Sequence, residues 1–206
     1  MTDHARRRAL CATCLRPQTT CICRWITPVA FDADLLILQH PLEVNNAKGS
    51  ARLLHLCVAG STMLTGEQFD GDALAAALHA DGRTPLLLYP QPEEGAVSTP
   101  VLDDSDPARV RLVLLDGTWR KSRKMLHLNP ILAALPRMAL RQMPASHYRI
   151  RKAHAPDQLS SFEAAAYALA GLQGAAAERG AMLAGLLAAF DGFVDQQAGY
   201  VAPRPP

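Results

Sequence analysis

Three short, almost uninterrupted apolar runs constrain this chain more than anything else in it: DLLILQ at 34–39, LLLY at 86–89 and RLVLL at 111–115. A strand with one wet face alternates apolar and polar residues, whereas a strand covered on both faces does not. These runs therefore predict strands of a parallel sheet buried under helices on both sides. Helical spacing appears between and after them, at 49–57 (Leu53, Leu56 and Cys57 on one face), at 73–79, and at 119–128, which stops before Pro130. Residues 137–140 predict one more short strand. Ser160 with Glu163 three positions on is a capping box that opens a helix running to about residue 172. An Ala-rich helix is expected over 175–190, and the segment 91–107, rich in Pro, Gly and acids, reads as a loop. Strands alternating with helices give an α/β fold, and 206 residues bury enough core to fold without disulfides.

Composition excludes several classes. At 49% hydrophobic and 19% charged residues the chain is not intrinsically disordered. No apolar run approaches the roughly 18 residues of a membrane span. Arg6, Arg7 and Arg8 are not followed by an apolar stretch, so residues 1–10 are not read as a secretory signal, and the expected compartment is the cytoplasm. The net charge of +2 conceals a strong segregation. Residues 109–152 hold eleven of the 21 Lys and Arg with Asp116 as their only acid, a balance of +10. The first 24 residues add +4, and the remainder carries −12. Such segregation predicts a basic face, and phosphate backbones are the polyanions such faces most often meet. The plainer reading is a set of solvated, Arg-rich helix faces.

Cys11, Cys14, Cys21 and Cys23 fall within 13 residues, CATCLRPQTTCIC. Four thiolates suit a closed, tetrahedral, structural Zn2+ site, although the C-x-C half is tighter than usual. Two disulfides or a redox C-x-x-C are the alternatives. The absence of a signal peptide disfavours the first, and a position at the chain terminus rather than a strand-to-helix junction disfavours the second. Arg16 and Arg24 are expected to extend the basic face, and Cys57 to pack as core.

In a parallel sheet ligands bind at the carboxyl ends of the strands. Two strand ends stand out: Leu88-Tyr89-Pro90, and Leu115-Asp116-Gly117-Thr118-Trp119, which leads into the basic helix. Asp116 suits a helix cap or a catalytic carboxylate equally well on local grammar. Its position as the lone acid of the basic tract favours catalysis.

LLDGTW followed by RKSRKMLHLNP resembles the D-x-T-W signature of the DTW-domain family. The C-x-x-C-x-R-P and C-x-C elements, HPLEV at 40–44, Arg52-Leu53 and the stretch 148–169 also resemble family blocks, so the likeness spans about residues 11–172. It implies a tRNA-uridine aminocarboxypropyltransferase that uses S-adenosylmethionine as cosubstrate, on a SPOUT-like parallel sheet with a C-terminal trefoil knot. The implied division is a zinc-binding module at 1–30, the catalytic domain at 31–195, and a flexible Pro-rich tail at 196–206. One departure is visible: family members often carry Thr before the Arg of this block, where Ser50 or Ala51 stands here.

The implied reaction alkylates N3 of a uridine, and the resemblance favours the variable loop of tRNA over the D-loop. Asp116 is the expected general base. Leu88, Tyr89, Pro90, Leu115, Gly117, Thr118, Trp119, Leu159, Ser160 and Ser161 are the expected cosubstrate wall. Arg52, Lys121, Lys124, Arg149, Arg151 and Lys152 are the expected RNA contacts, with Arg149 and Arg151 alternatively flanking a strand. Trp119 suits either base stacking or core packing. Glu163 reads as a cap rather than a catalyst, and His40, His147 and His154 lack metal-site spacing. No membrane partner is expected, and monomer and homodimer both remain open. A non-catalytic zinc-containing RNA-binding protein and a SPOUT-type RNA methyltransferase are the rival readings.

Overall fold

The computed structural model describes residues 9–91, 106–150, 159–173 and 176–200. Five parallel strands, β1 (Asp34–Gln39), β2 (Thr62–Thr65), β3 (Thr84–Leu88), β4 (Val110–Asp116) and β5 (Arg137–Met138), form one sheet in the order β2-β1-β4-β3-β5. Six helices accompany them: α1 (Ala51–Cys57), α2 (Gly71–His79), α3 (Trp119–Leu128), α4 (Pro130–Ala133), α5 (Ser161–Leu172) and α6 (Ala176–Gly199).

The apolar runs are buried on both faces, as their lack of alternation requires. Leu35, Ile37, Leu112 and Leu114 face one core, packed with α1, α5 and α6 through Leu53, Phe162, Leu169 and Phe190. Leu36, Leu38, Val113 and Leu115 face the other, with Leu74 and Leu78 of α2 and Met125 and Leu126 of α3. The edge strand β2 escapes a reading by apolar run because it has only four residues, TMLT, with both terminal threonines exposed.

Two sequence expectations change. Arg111 is not on a basic face. It is buried at the start of β4, where Nε donates to Asp34 Oδ2 at 2.7 Å and a terminal nitrogen reaches Asp81 at 3.4 Å. The last helix also runs to Gly199, past the point where the sequence suggests a tail. Its Gln196 accepts from Trp25 Nε1 at 2.5 Å and donates to the Cys21 carbonyl at 3.0 Å, and Tyr200 donates to the Thr19 carbonyl at 3.0 Å. The C-terminal helix therefore clamps the cysteine module. Gly192 is what lets it come close, since a Cβ there would sit 2.2 Å from the Trp25 ring.

Candidate active site

The register pairs Gln39 of β1 with Asp116 of β4, so both strands end at the same level. Gly117 turns the chain there; a Cβ on it would meet the Lys121 Cβ at 3.2 Å and the His40 Cβ at 3.6 Å. Two cavities open on either side of this turn.

The first is about 460 Å³ and is lined by Leu88, Tyr89, Pro90, Leu115, Gly117, Trp119, Leu159, Ser160 and Ser161. Nine of the ten expected cosubstrate residues thus share one wall. Thr118 does not: its hydroxyl accepts from the Lys121 amide at 3.4 Å as the cap of α3, and it faces the second cavity. Trp119 is half exposed rather than core, and stands edge-on to Tyr89 with ring centroids 5.6 Å apart. The Ser122 hydroxyl donates to the Trp119 carbonyl at 3.1 Å, which leaves it to accept from the Tyr89 hydroxyl at 3.2 Å. Gln91, Leu114, Ser122, residues 138–143 and Ala164 complete the described wall and were not expected. Segment 139–143 follows a two-residue strand and carries no motif, so no local signal marks it.

The second cavity, about 170 Å³, holds Asp116 together with Glu43, Asn46, Lys48, Ser50 and Tyr148, and shares Gly117, Ser160 and Ser161 with the first. Asp116 is 7% exposed, and its Oδ2 accepts from Gln39 Nε2 at 3.0 Å. Burial raises its pKa above the ordinary aspartate value, against hydrogen bonds from Gln39 and Ser161, and the Glu43 charge pushes the same way. Glu43 goes in the opposite direction. Its burial acts to raise the pKa, but hydrogen bonds from Lys121 Nζ and Asn46 Nδ2, both 2.7 Å, outweigh it. Two carboxylates in one cavity are thereby driven apart, the pattern that separates proton acceptor from permanent anion. Of Ser50 and Ala51, it is Ser50 that lines this cavity. It stands at the start of α1 without capping it, while Ala51 is packed in the core. Behind the turn, His40 accepts from the Leu42 amide through Nδ1 at 3.1 Å, so Nε2 carries the proton it donates to Glu67 at 2.8 Å. Glu163 caps α5 and also accepts from Ser146 Oγ at 2.8 Å and the His147 amide at 2.7 Å, fixing the loop that carries Tyr148.

The four N-terminal cysteines converge with all Sγ atoms within 4.8 Å of one another. All are free thiols, with Cys11 and Cys23 3.5 Å apart and Cys14 and Cys21 3.8 Å apart. With Zn–S bonds of about 2.3 Å, tetrahedral sulfurs lie about 3.8 Å apart, so the cluster fits that ion. Amide hydrogens of Cys14 and Thr13 draw the Cys11 pKa down to about 6, while burial and the neighbouring sulfurs push Cys23 up to about 12. Arg16 departs from expectation. Rather than facing solvent, it donates to the carbonyls of Ala47 at 2.7 Å and Gly49 at 2.6 Å, and lies over the Phe193 ring. Arg24 stacks on Trp25 at 4.5 Å. The cysteine module is thus strutted against the 46–50 loop, one wall of the second cavity.

The expected RNA contacts are scattered in their present engagements. Arg52 donates to the Thr13 carbonyl at 2.6 Å, Lys121 is held by Glu43, Lys124 pairs with Glu67 at 2.8 Å, and Arg149 pairs with Asp195. Arg151 and Lys152 lie outside the described residues. Arg120 and Arg123, which the sequence reading left aside, are exposed beside Lys124 on α3. Among the described residues no helix is long and apolar enough to cross a membrane.

The family model of the DTW domain matches residues 8–198. Among curated relatives, tRNA-uridine aminocarboxypropyltransferase 2 of Mus musculus is 31% identical over 177 residues, 83% of this chain and 59% of the relative. The protein of the same name from Drosophila melanogaster is 32% identical over 178 residues, covering 83% of this chain and 69% of the relative. tRNA-uridine aminocarboxypropyltransferase A of Arabidopsis thaliana is 20% identical over 144 residues. The chain spans about three fifths of the length of the mammalian relatives it matches. No solved structure gives a significant match. With its D-x-T-W turn at the shared wall of two cavities, the chain belongs to the DTW-domain family.

Proposed function

We propose that the chain transfers the 3-amino-3-carboxypropyl group of S-adenosylmethionine to N3 of a uridine in tRNA. The observation that carries this reading is the pair of adjoining cavities with a buried carboxylate in the smaller one. The larger has the size of a small-molecule site, with apolar and aromatic side chains interspersed with polar groups. Its Tyr89 and Trp119 rings suit a sulfonium, whose positive charge is attracted to aromatic faces. The smaller cavity receives the target base. Asp116 Oδ accepts the N3 proton of the uracil imide. The N3 lone pair then forms a bond to the chain carbon on the sulfonium, the S–C bond breaks, and its electron pair leaves with neutral methylthioadenosine. Positioning of the two substrates across the Gly117–Ser160 wall supplies much of the acceleration, since the leaving group is already activated.

Zn2+ held by Cys11, Cys14, Cys21 and Cys23 would be structural, because four ligands close the shell. The tRNA lies over the exposed basic side chains of α3, and Lys124, Lys121, Arg149, Arg52, Arg151 and Lys152 remain its candidate contacts. The SPOUT-like assignment, with its knotted crossing, belongs to the same reading; the all-parallel sheet with α5 packed on β3 and β4 supports it. So do the division at about residue 30 and the choice of the variable loop.

The test incubates the protein with unmodified tRNA and S-adenosylmethionine and weighs the nucleosides. The expected outcome is the aminocarboxypropyl mass on uridine with release of methylthioadenosine. A methyl gain with S-adenosylhomocysteine would make it a methyltransferase, and binding without a mass change would make it a non-catalytic RNA-binding protein.

A further inference from the structure

Resting on the reading above, we propose that Arg141 binds the carboxylate of the donor's amino-acid end. Among the described residues that line the first cavity, Arg141 alone carries a charged side chain. It is exposed, and among the described residues it has no ion-pair or hydrogen-bond partner. Its neighbours in the basic tract differ. Arg111 is sealed in an internal ion pair, and Arg137 donates to the Pro90 carbonyl at 3.0 Å while lying over the Tyr89 ring. The residue after Arg141, Gln142, also lines the cavity and holds φ at 54°, a left-handed conformation that non-glycine residues seldom adopt. Such outliers concentrate at ligand clamps.

The donor carries a single anionic group, the carboxylate beside the carbon chain that is transferred. Drawing that charge out of water into the cavity costs free energy unless a partner meets it. Among the described residues two helix N-termini also border the cavity, and both are engaged. At α3 the Thr118 hydroxyl accepts from the Lys121 amide at 3.4 Å. At α5 Ser160 Oγ accepts from the Glu163 amide at 3.2 Å, and the Glu163 carboxylate accepts from the Ser160 amide at 2.8 Å. That carboxylate would also repel a second one. The guanidinium fork of Arg141 is left, with donors spaced to hold a carboxylate in two places. An anchor at that end also fixes which carbon on the sulfonium faces the acceptor, favouring the chain over the methyl group.

Calorimetry on the full chain tests this with two ligands, S-adenosylmethionine and methylthioadenosine, which lacks the amino-acid end. Arg141→Gln is expected to weaken S-adenosylmethionine roughly 10- to 100-fold, the range of hydrogen bonds to a charged group, and to leave methylthioadenosine unchanged. Arg141→Lys should recover part of the loss. Equal weakening of both ligands would mean a wall residue with no carboxylate contact, and overturns the proposal. So does unchanged binding of both, including the case where tRNA affinity falls instead with a shallower salt dependence. Wild-type protein that binds neither ligand would overturn the donor assignment itself, and this proposal with it.

Discussion

The two cavities are built in different ways. The larger is a product of the sheet: Leu88, Tyr89, Leu115, Gly117 and Trp119 each lie within three residues of the end of β3 or β4. The smaller is a product of long-range ties. Its 43–50 wall is held by Lys121 from α3, by Arg16 from the cysteine module, and by the Tyr148 hydroxyl, which donates to the Lys48 carbonyl. Phe190 of α6 supports Tyr148 from behind, at 5.3 Å between ring centroids. The difference teaches that a cavity at strand ends follows from where strands stop, while one walled by loops needs the whole chain to be folded around it.

Stripping the metal should affect the two sites unequally. Structural zinc is worth about 10 kcal/mol in small metal-folded peptides. Even a loss of about 5 kcal/mol would lower Tm by roughly 10–20 °C in a chain of this size. Below the melting point, donor binding should survive while turnover on tRNA falls, because Arg16 no longer braces the acceptor wall. A Tm unmoved by chelation would mean that the cysteines hold no structural ion.

Next in size is Asp116→Asn, expected to lower kcat by about 10³ if the carboxylate is the base. Donor affinity should stay as it was, and a lost donor site in isothermal titration would erase the distinction between the cavities. The same variant sharpens the electrostatics. A carboxylate whose folded pKa is raised favours its protonated form in the native state, so its ionisation at neutral pH works against folding. Asp116→Asn should therefore hold or raise Tm at pH 7, whereas at pH 3 the two proteins should melt alike.

Trp119→Ala should weaken S-adenosylmethionine roughly tenfold through lost ring contact, measured by calorimetry. An equal loss of tRNA affinity would mean that the ring serves the base instead. Smaller again is the effect of Glu43→Gln. Asp116 must be ionised to accept a proton, so activity falls as pH drops through its raised pKa. Removing the Glu43 charge lowers that pKa and should move the acid limb of kcat/KM to lower pH. A limb that stays in place would separate Glu43 from the base. Last, alanine at Arg120, Arg123 or Lys124 should each reduce the salt slope of tRNA binding by about 1, if each meets one phosphate.

The sequence made the larger cavity readable because apolar run, strand end and helix cap are local patterns. Nine of its expected wall residues stand together for that reason, and Thr118 misses only because its hydroxyl is spent on the α3 amide. Of the smaller cavity the sequence marked Asp116, the neighbouring Gly117, Thr118, Ser160 and Ser161, and Ser50, but not the rest of its 43–50 wall. Glu43, Asn46 and Tyr148 belong to segments with no periodicity, and their partners lie up to 100 residues away along the chain, as in the contact of Tyr148 with Lys48. The basic tract shows the same limit from the other side. Counting charges located the excess, yet Arg111 is consumed inside the fold and Arg16 in a strut, which no count distinguishes from a phosphate contact.

By itself the sequence determined the α/β layering, the start of α5 at Ser160 and the clustering of four thiols, since each follows from side chains a few residues apart. Tertiary structure alone decided that the last helix reaches back to the cysteine module, that the module braces the 46–50 wall of the smaller cavity, and that Arg141 faces the larger one unpaired among the described residues. Those outcomes depend on which buried polar groups find partners once the chain is compact, and burial is a property of the whole fold rather than of any segment.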